Sequence, residues 1–264
     1  MIYHFINLYQ IHYLNIYLIL YYYLNVYDKE ISKIESIREF LKEKIGNAYA
    51  IVGISSGIDS SLVLTLLATS IDYDKIKAVF MPDKFTKKED YEHVQLLSKS
   101  TGIRIEEINI ESIVESYRKV LDSNDKKLEG NIRSRIRANI LYYYANKLSG
   151  MVIGTTNRTE YLLGYYTKYG DGACDIEPIE TLYKTDVRNI SGILRVPDAI
   201  IKKKPSAGLW DNQYDEDELN MSYEEIDSIL KDVFDLHILR GNYEKLVEIY
   251  LKSMHKREMP KSMS

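Results

Sequence analysis

From residue 28 onward, apolar residues recur at helical spacing. Ile31, Ile34, Ile37, Leu41 and Ile45 share one face, charged residues lie between them, and Gly46 ends the run. That pattern predicts an amphipathic helix. Ala48–Ile54 is a continuous apolar run of strand length, followed by a Ser/Gly turn, and Ser61–Ala68 reads as a helix. The alternation repeats: strand Ile76–Met81, helix Lys88–Ser100, strand Ile103–Asn109, helix Ser112–Leu121, long helix Ile132–Leu148, buried strand Met151–Ile153. Strands alternating with helices predict an α/β fold, a doubly wound parallel sheet flanked by helices. Right-handed crossovers then set the strand C-termini along one edge, where sheets of this kind bind ligands.

Beyond Gly164 the period is lost. Tyr165–Glu177 is Gly/Asp-rich and too polar for a core element, and Lys202–Leu219 is a polar stretch containing Pro and Gly. Long loops in a compact domain act as functional lids or are disordered, so both are expected to be mobile. Lys184–Leu194, Tyr223–Leu230 and Tyr243–Met254 read as helices. Within Lys202–Lys204, Lys202 and Lys203 read as a solvated charge run.

Composition narrows the chemistry. The 264 residues suffice for one large domain with a core, and the formal net charge of −4 provides no global field for nucleic acid. Cys174 is the single cysteine, which excludes an internal disulfide framework or a cysteine-rich zinc site. A reducing, cytoplasmic setting follows. The first 27 residues stand apart: eight of the 24 tyrosines lie there, and Ile2–Tyr27 contains no Lys, Arg, Asp or Glu. Asn7, Gln10, Asn15 and Asn25 argue against a membrane span, and the basic region of a secretory signal is missing. Residues 1–27 are read as an extension outside the working enzyme, which is assigned to 28–264, with the natural start near Leu24 or Val26. A membrane anchor and an extra packed helix are the alternatives.

Gly53-Ile54-Ser55-Ser56-Gly57-Ile58-Asp59-Ser60-Ser61 follows a strand and opens a helix. Unpaired N–H groups and the positive helix end make an anion site there, to which the Ser hydroxyls add donors. The Gly-Lys-Ser/Thr ending of a hydrolase P-loop is absent, as is the G-x-G-x-x-G spacing of a dinucleotide fingerprint. The plain alternative is a solvated turn capping a helix.

The loop resembles the S-G-G-x-D-S pyrophosphate loop of N-type ATP pyrophosphatases, which transfer AMP. Ser56 stands where that family usually has a second Gly, which tolerates positive φ and close phosphate approach. The stretch Val152–Asp175, with Gly154-Thr155, Glu160, Lys168-Tyr169-Gly170-Asp171 and Asp175 in order, is similar to the signature of ammonia-dependent NAD synthetases. By that resemblance the residues Gly53, Ile54, Ser55, Ser56, Gly57, Ile58, Asp59 and Ser60, with Thr155, Lys184 and Ser206, bind ATP. Asp59 and Glu160 would hold Mg²⁺; Arg135, Lys168, Asp175, His255 and Lys256 would bind deamido-NAD. Ser134 and Ala138 depart mildly from the family pattern around Arg135, and Arg133 and Arg137 read as surface partners of acidic neighbours. Cys174 is a small filler residue beside Asp175.

The implied reaction has two steps. The nicotinate carboxylate of deamido-NAD attacks the ATP α-phosphate and expels pyrophosphate, and ammonia then displaces AMP to give NAD. Glutamine-using relatives carry an amidase domain with a catalytic Cys, for which this chain has neither the length nor a suitable residue. Ammonia is therefore the expected nitrogen source, and the resemblance implies a homodimer with no nucleic-acid partner. The rivals are another adenylating enzyme, such as a tRNA-modifying one, and a nucleotide-binding homologue impaired by Ser56. Mass analysis of the natural N-terminus should find a start near Leu24 or Val26; an intact Met1 peptide would overturn that reading.

Overall fold

The structure is a computed structural model that describes residues 27–121, 125–204, 220–239, 241–260 and 262. Its centre is a parallel sheet. β1 (Tyr49–Ile54) lies between β2 (Ile76–Phe80) and β4 (Gly150–Ile153), and β3 (Ile105–Glu107) flanks β2, giving the order β3-β2-β1-β4. Val52 of β1 aligns with Ala78 on one side and Ile153 on the other. Ile153 also makes one parallel bridge to Ile176, so the chain returns along the outer side of β4.

The apolar runs are continuous because the central strand is covered on both faces. Ala50, Ile51 and Val52 are all fully buried. Ala50, Val52 and Ile54 share a core with the helix over 27–45 (α1), α2 (Ile58–Ala68), α3 (Lys88–Thr101), α7 (Lys184–Ile193) and α8 (Asp198–Ile201). On the opposite face, Ile51 and Val152 pack on Ala145 of α5 (Lys126–Leu148), and Val79 packs with Val114 of α4 (Glu111–Leu121). This is the doubly wound arrangement the alternation predicts. α2 buries nearly every side, as expected of a helix apolar all round.

A separate apolar cluster joins Leu162 and Leu163 of α6 (Arg158–Leu163), Ile226 and Leu230 of α9 (Tyr223–Leu230) and Leu246 of α10 (Tyr243–Lys252). It fastens the C-terminal helices beside the β4 end of the sheet. A π-turn at Lys231–Asp235 follows α9, and a 3₁₀ turn at Met254–Lys256 follows α10.

Several boundaries differ from the sequence expectation. α5 begins at Lys126, six residues before Ile132, because the Asp125 carboxylate accepts from the N–H groups of Lys127 (2.8 Å) and Leu128 (3.0 Å). That is an N-cap, and it carries the helix through Gly130. β3 is three residues long and only partly buried, as an edge strand. The short α8 was not expected. No helix among the described residues is long and apolar enough to cross a membrane. Residues 1–26, and all of the second polar loop after Lys204, lie outside the described residues.

Leu66 is fully buried in α2, whereas Tyr73, in the turn ahead of β2, is 60% exposed. Leu66→Ala should cost about 2–5 kcal/mol of unfolding free energy with an unchanged denaturant slope. Tyr73→Ala should stay within about 0.5 kcal/mol. Equal effects in urea unfolding would contradict this core.

Candidate active site

The strand order reverses between β1 and β4, because β2 and β3 lie to one side of β1 and β4 to the other. In open α/β sheets the crevice beyond the strand C-termini at such a point is the ligand site. The Ser55 loop leaves β1 there, and Gly154–Asn157 leaves β4 there. Thr155 is half-buried in that second turn.

Hydroxyls hold the first loop. The Ser55 N–H donates to Ser60 Oγ (3.2 Å), the Gly57 N–H donates to Ser55 Oγ (3.3 Å), and the Ser61 hydroxyl donates to the Gly57 carbonyl (2.8 Å). Gly57 is the N-cap of α2 and brings no capping side chain of its own to that helix end. Ser56 adopts φ +63°, the left-handed region, which costs a non-glycine residue about 1–2 kcal/mol. Its side chain is fully buried, and its hydroxyl donates to Asp90 Oδ1 (2.7 Å).

The charged centre joins three helix starts. Asp59 lies in the first turn of α2, Glu160 in the first turn of α6, and Lys184 opens α7. Lys184 Nζ donates to Asp59 Oδ2 (2.6 Å) and Glu160 Oε1 (3.0 Å), and Asn157 Nδ2 donates to Asp59 Oδ1 (2.8 Å). Asn157 also caps α6 through the N–H of Glu160 (3.0 Å). Lys184 is 2% exposed. Burial disfavours its ammonium, but Asp59 and Glu160 outweigh burial and raise its pKa. Beneath it, the Thr159 hydroxyl donates to Asp227 Oδ1 (2.5 Å) and accepts from the Lys184 N–H (3.0 Å), while Thr185 N–H donates to Asp227 Oδ2 (2.8 Å). Asp227 thus ties α9 to the starts of α6 and α7.

A second cluster gathers four of the five residues expected to bind deamido-NAD. Arg135 donates to the Lys168 carbonyl (3.2 Å), Lys168 Nζ reaches the His255 carbonyl, and Lys256 Nζ donates to the carbonyls of Gly164 and Tyr166 (2.6 Å each). The Ser134 hydroxyl donates to Asp171 Oδ1 (2.5 Å) and accepts the Asp171 N–H (2.7 Å), so this departure from the family pattern pins the loop. Asp175 lies apart: its carboxylate accepts the Val152 N–H (2.7 Å) along β4. Ser206 lies outside the described residues.

Two sequence readings need correction. Arg133 is not at the surface: its side chain is 1% exposed, paired with Asp83 (3.3 Å) and Glu129 (3.0 Å), with Phe85 stacked at 4.6 Å. Arg137 joins Asp83 (3.0 Å) and the Met81 carbonyl (3.0 Å), bracing the end of β2. Lys203 is not a solvated charge either, because it pairs with Asp90 (2.5 Å) and donates to Ser56 Oγ (2.8 Å). Lys202 does remain exposed. Asp90, Asp227 and Glu177 also escaped the sequence reading. Only Asp90 had a local signal, as the third residue of α3 closing a capping box onto the Lys87 N–H (2.8 Å).

Glu177 returns beside β4, accepting from Cys174 Sγ (3.1 Å) and the Thr156 N–H (3.2 Å). Gly154 leaves room for it, since a Cβ there would strike the Glu177 carboxyl. Burial, outweighing the hydrogen bonds from Cys174 and Thr156, lifts its pKa to about 7. Cys174 is held as a thiol: burial, then the Glu177 charge, push its pKa well up. Filler, not nucleophile, is the role that fits.

With this geometry in place, the likeness to known proteins is specific. The profile of the NAD synthase family matches residues 32–260. The chain belongs to the NAD synthase family. It is 59% identical over 231 residues to the NH(3)-dependent NAD(+) synthetase of Picrophilus torridus, covering 87% of this chain and 93% of that protein. The enzyme of the same description from Thermoplasma volcanium is 52% identical over 240 residues, covering 90% and 98%. Among solved structures, an NMN synthetase from Francisella tularensis superposes with TM-score 0.81 at 30% identity, over 89% of this chain and 98% of that one. The NH3-dependent NAD synthetase from Campylobacter jejuni, in complex with the nitrate ion, superposes with TM-score 0.77 at 30% identity, over 89% and 99%.

The raised Glu177 pKa has a stability consequence with a definite sign. Between its ordinary value of 4.5 and about 7, the folded chain keeps a proton that the unfolded chain releases. The penalty is absent below that window and complete above it. Glu177→Gln should therefore gain roughly 1–3 kcal/mol on wild type between pH 4 and pH 8, one pKa unit being worth about 1.4 kcal/mol. A wild-type-minus-variant difference that stays flat across that range in urea unfolding would remove the assignment.

Proposed function

We propose that this protein is a ligase forming a C–N bond: it amidates deamido-NAD with ammonia at the expense of ATP, releasing NAD, AMP and pyrophosphate. The observation that carries this reading is the pair of carboxylates, Asp59 and Glu160, flanking a buried ammonium at the β1/β4 crevice, beside an uncapped helix start. Residues 28–264 form the working domain, a reading supported by the family match over 32–260.

The chemistry divides among the two clusters. The segment Gly53–Ser60 holds the triphosphate through backbone N–H groups and hydroxyls, with Thr155, Lys184 and Ser206 as further ATP contacts. Arg135, Lys168, His255 and Lys256 hold the dinucleotide from the second cluster and Asp175 from its separate place beside β4, so that the nicotinate carboxylate meets the α-phosphate in line with the leaving pyrophosphate. One P–O bond forms as another breaks. Ammonia then attacks the acyl carbon, a C–N bond replaces the C–O bond, and AMP departs with that oxygen. Fixed donors stabilise the charge on the phosphates, and no enzyme nucleophile is needed.

Asp59 and Glu160 fit a Mg²⁺ ion, which takes few protein ligands and draws the rest from water and phosphate. When bound, the ion supplies charge neutralisation at the departing pyrophosphate. A second copy of the chain completes the molecule as a homodimer. Support comes from the exposed apolar residues Tyr117, Val120, Leu121, Leu128 and Tyr143 on α4 and α5. A cytoplasmic location fits a lone cysteine held as a thiol.

Purified protein given ATP, deamido-NAD and an ammonium salt should release NAD, AMP and pyrophosphate in equal amounts. Glutamine should not replace ammonia. Nicotinate mononucleotide is the second acceptor to try, given the Francisella relative, and deamido-NAD should have the higher kcat/KM. Asp59→Ala should lower kcat at least about a hundredfold. ADP and phosphate as products, or full activity in the variant, would overturn the reading.

A further inference from the structure

Ser56 is where the phosphate loop departs from the glycine of the adenylating-enzyme pattern, and its surroundings are not those of a tolerated defect. It holds φ +63° with a fully buried side chain. Its hydroxyl donates to Asp90 Oδ1 (2.7 Å) and accepts from Lys203 Nζ (2.8 Å), while Lys203 and Asp90 pair directly at 2.5 Å. Asp90 Oδ2 is occupied in closing the first turn of α3. Three elements therefore meet on one hydroxyl: the phosphate loop, the start of α3 and the segment just after α8.

Charge gives this contact its meaning. A carboxylate touching a loop that must receive phosphates would repel them, and its field would be felt across the few ångströms involved. Lys203 cancels that charge. Its side chain is 25% exposed, against 76% for Lys202, whose pair with Asp198 (3.0 Å) is solvent-exposed, so Lys203 is held far more firmly than its neighbour. Two of its three N–H donors go to Ser56 and Asp90 among the described residues, which leaves a third donor on an ammonium that touches the loop. A glycine at position 56 would provide no hydroxyl to bring the ammonium against the loop.

We propose that Lys203 is a phosphate-binding residue of the ATP site, held against the loop by Ser56 and Asp90. This rests on the ATP-consuming reading above and adds a residue that the family resemblance does not assign. Ser56 and Asp90 are positioning residues, acting through Lys203. The arrangement raises ATP affinity without touching the dinucleotide.

Lys203→Met should raise the KM for ATP about tenfold, as loss of one charge-assisted hydrogen bond predicts. The KM for deamido-NAD should change less than about twofold, and Lys203→Arg should recover most of the ATP affinity. In a Ser56→Gly background the same Lys203→Met change should act about threefold or less, because the coupling is gone. Calorimetric titration with a non-hydrolysable ATP analogue, run on wild type, the three single variants and the double variant, reads the same differences without turnover. Should wild type bind the analogue but fail to form NAD, the functional reading falls while the affinity comparison still decides Lys203. Unchanged analogue affinity in Lys203→Met overturns the phosphate role. A tenfold effect that persists undiminished beside Gly at position 56 overturns the positioning role of Ser56.

Discussion

A lysine ammonium almost sealed from water needs negative charge beside it, and the site is organised around that requirement. Lys184 is sealed in this way, and Asp59 and Glu160, with the Tyr223 ring 5.3 Å away, make its burial tolerable. Each carboxylate sits in the first turn of a helix, where the helix field also favours it. The ion triad therefore fixes the mutual position of β1's loop, β4's loop and α7. Asp227 sets the starts of α6 and α7 from below through neutral donors, so Glu160 and Lys184 are fixed in position before any substrate arrives.

Much of the fold was legible because it depends on local period. α9 begins and ends where its apolar spacing says, and β1, β2 and α3 fall within two residues of expectation. α5 was misjudged because Gly130 hid the Asp125 cap five residues upstream. In the site, motif residues that sit on one loop or one helix start were legible, and Asp59, Glu160 and Lys184 do meet. Residues whose role depends on a distant partner were not. Nothing near Lys203 in the chain announces Asp90, 113 positions earlier, and nothing near Arg133 announces Asp83 across the sheet edge.

The substitutions that looked like imperfect copies of a family pattern have partners of their own. Ser56 and Ser134 each place a hydroxyl where the pattern has a smaller residue, and each hydroxyl both donates and accepts. Ser134 joins α5 to the 164–172 loop, and Ser56 joins α3 to the phosphate loop. A deviation judged one residue at a time looks like a loss. Judged with its neighbours, it exchanges backbone freedom for a tie between elements.

The distances along the chain between these partners carry a further meaning. Asp59 waits 125 residues for Lys184, and Ser56 waits 147 for Lys203. During synthesis, β1 to β3 emerge while Asp59 still lacks its counter-charge, and long-range closures of this kind form late. A nascent or truncated chain ending before α7 has the phosphate loop but none of the cations that complete it. The two lysines that meet this loop, Lys184 and Lys203, are thus delivered late, by the nearly finished polypeptide.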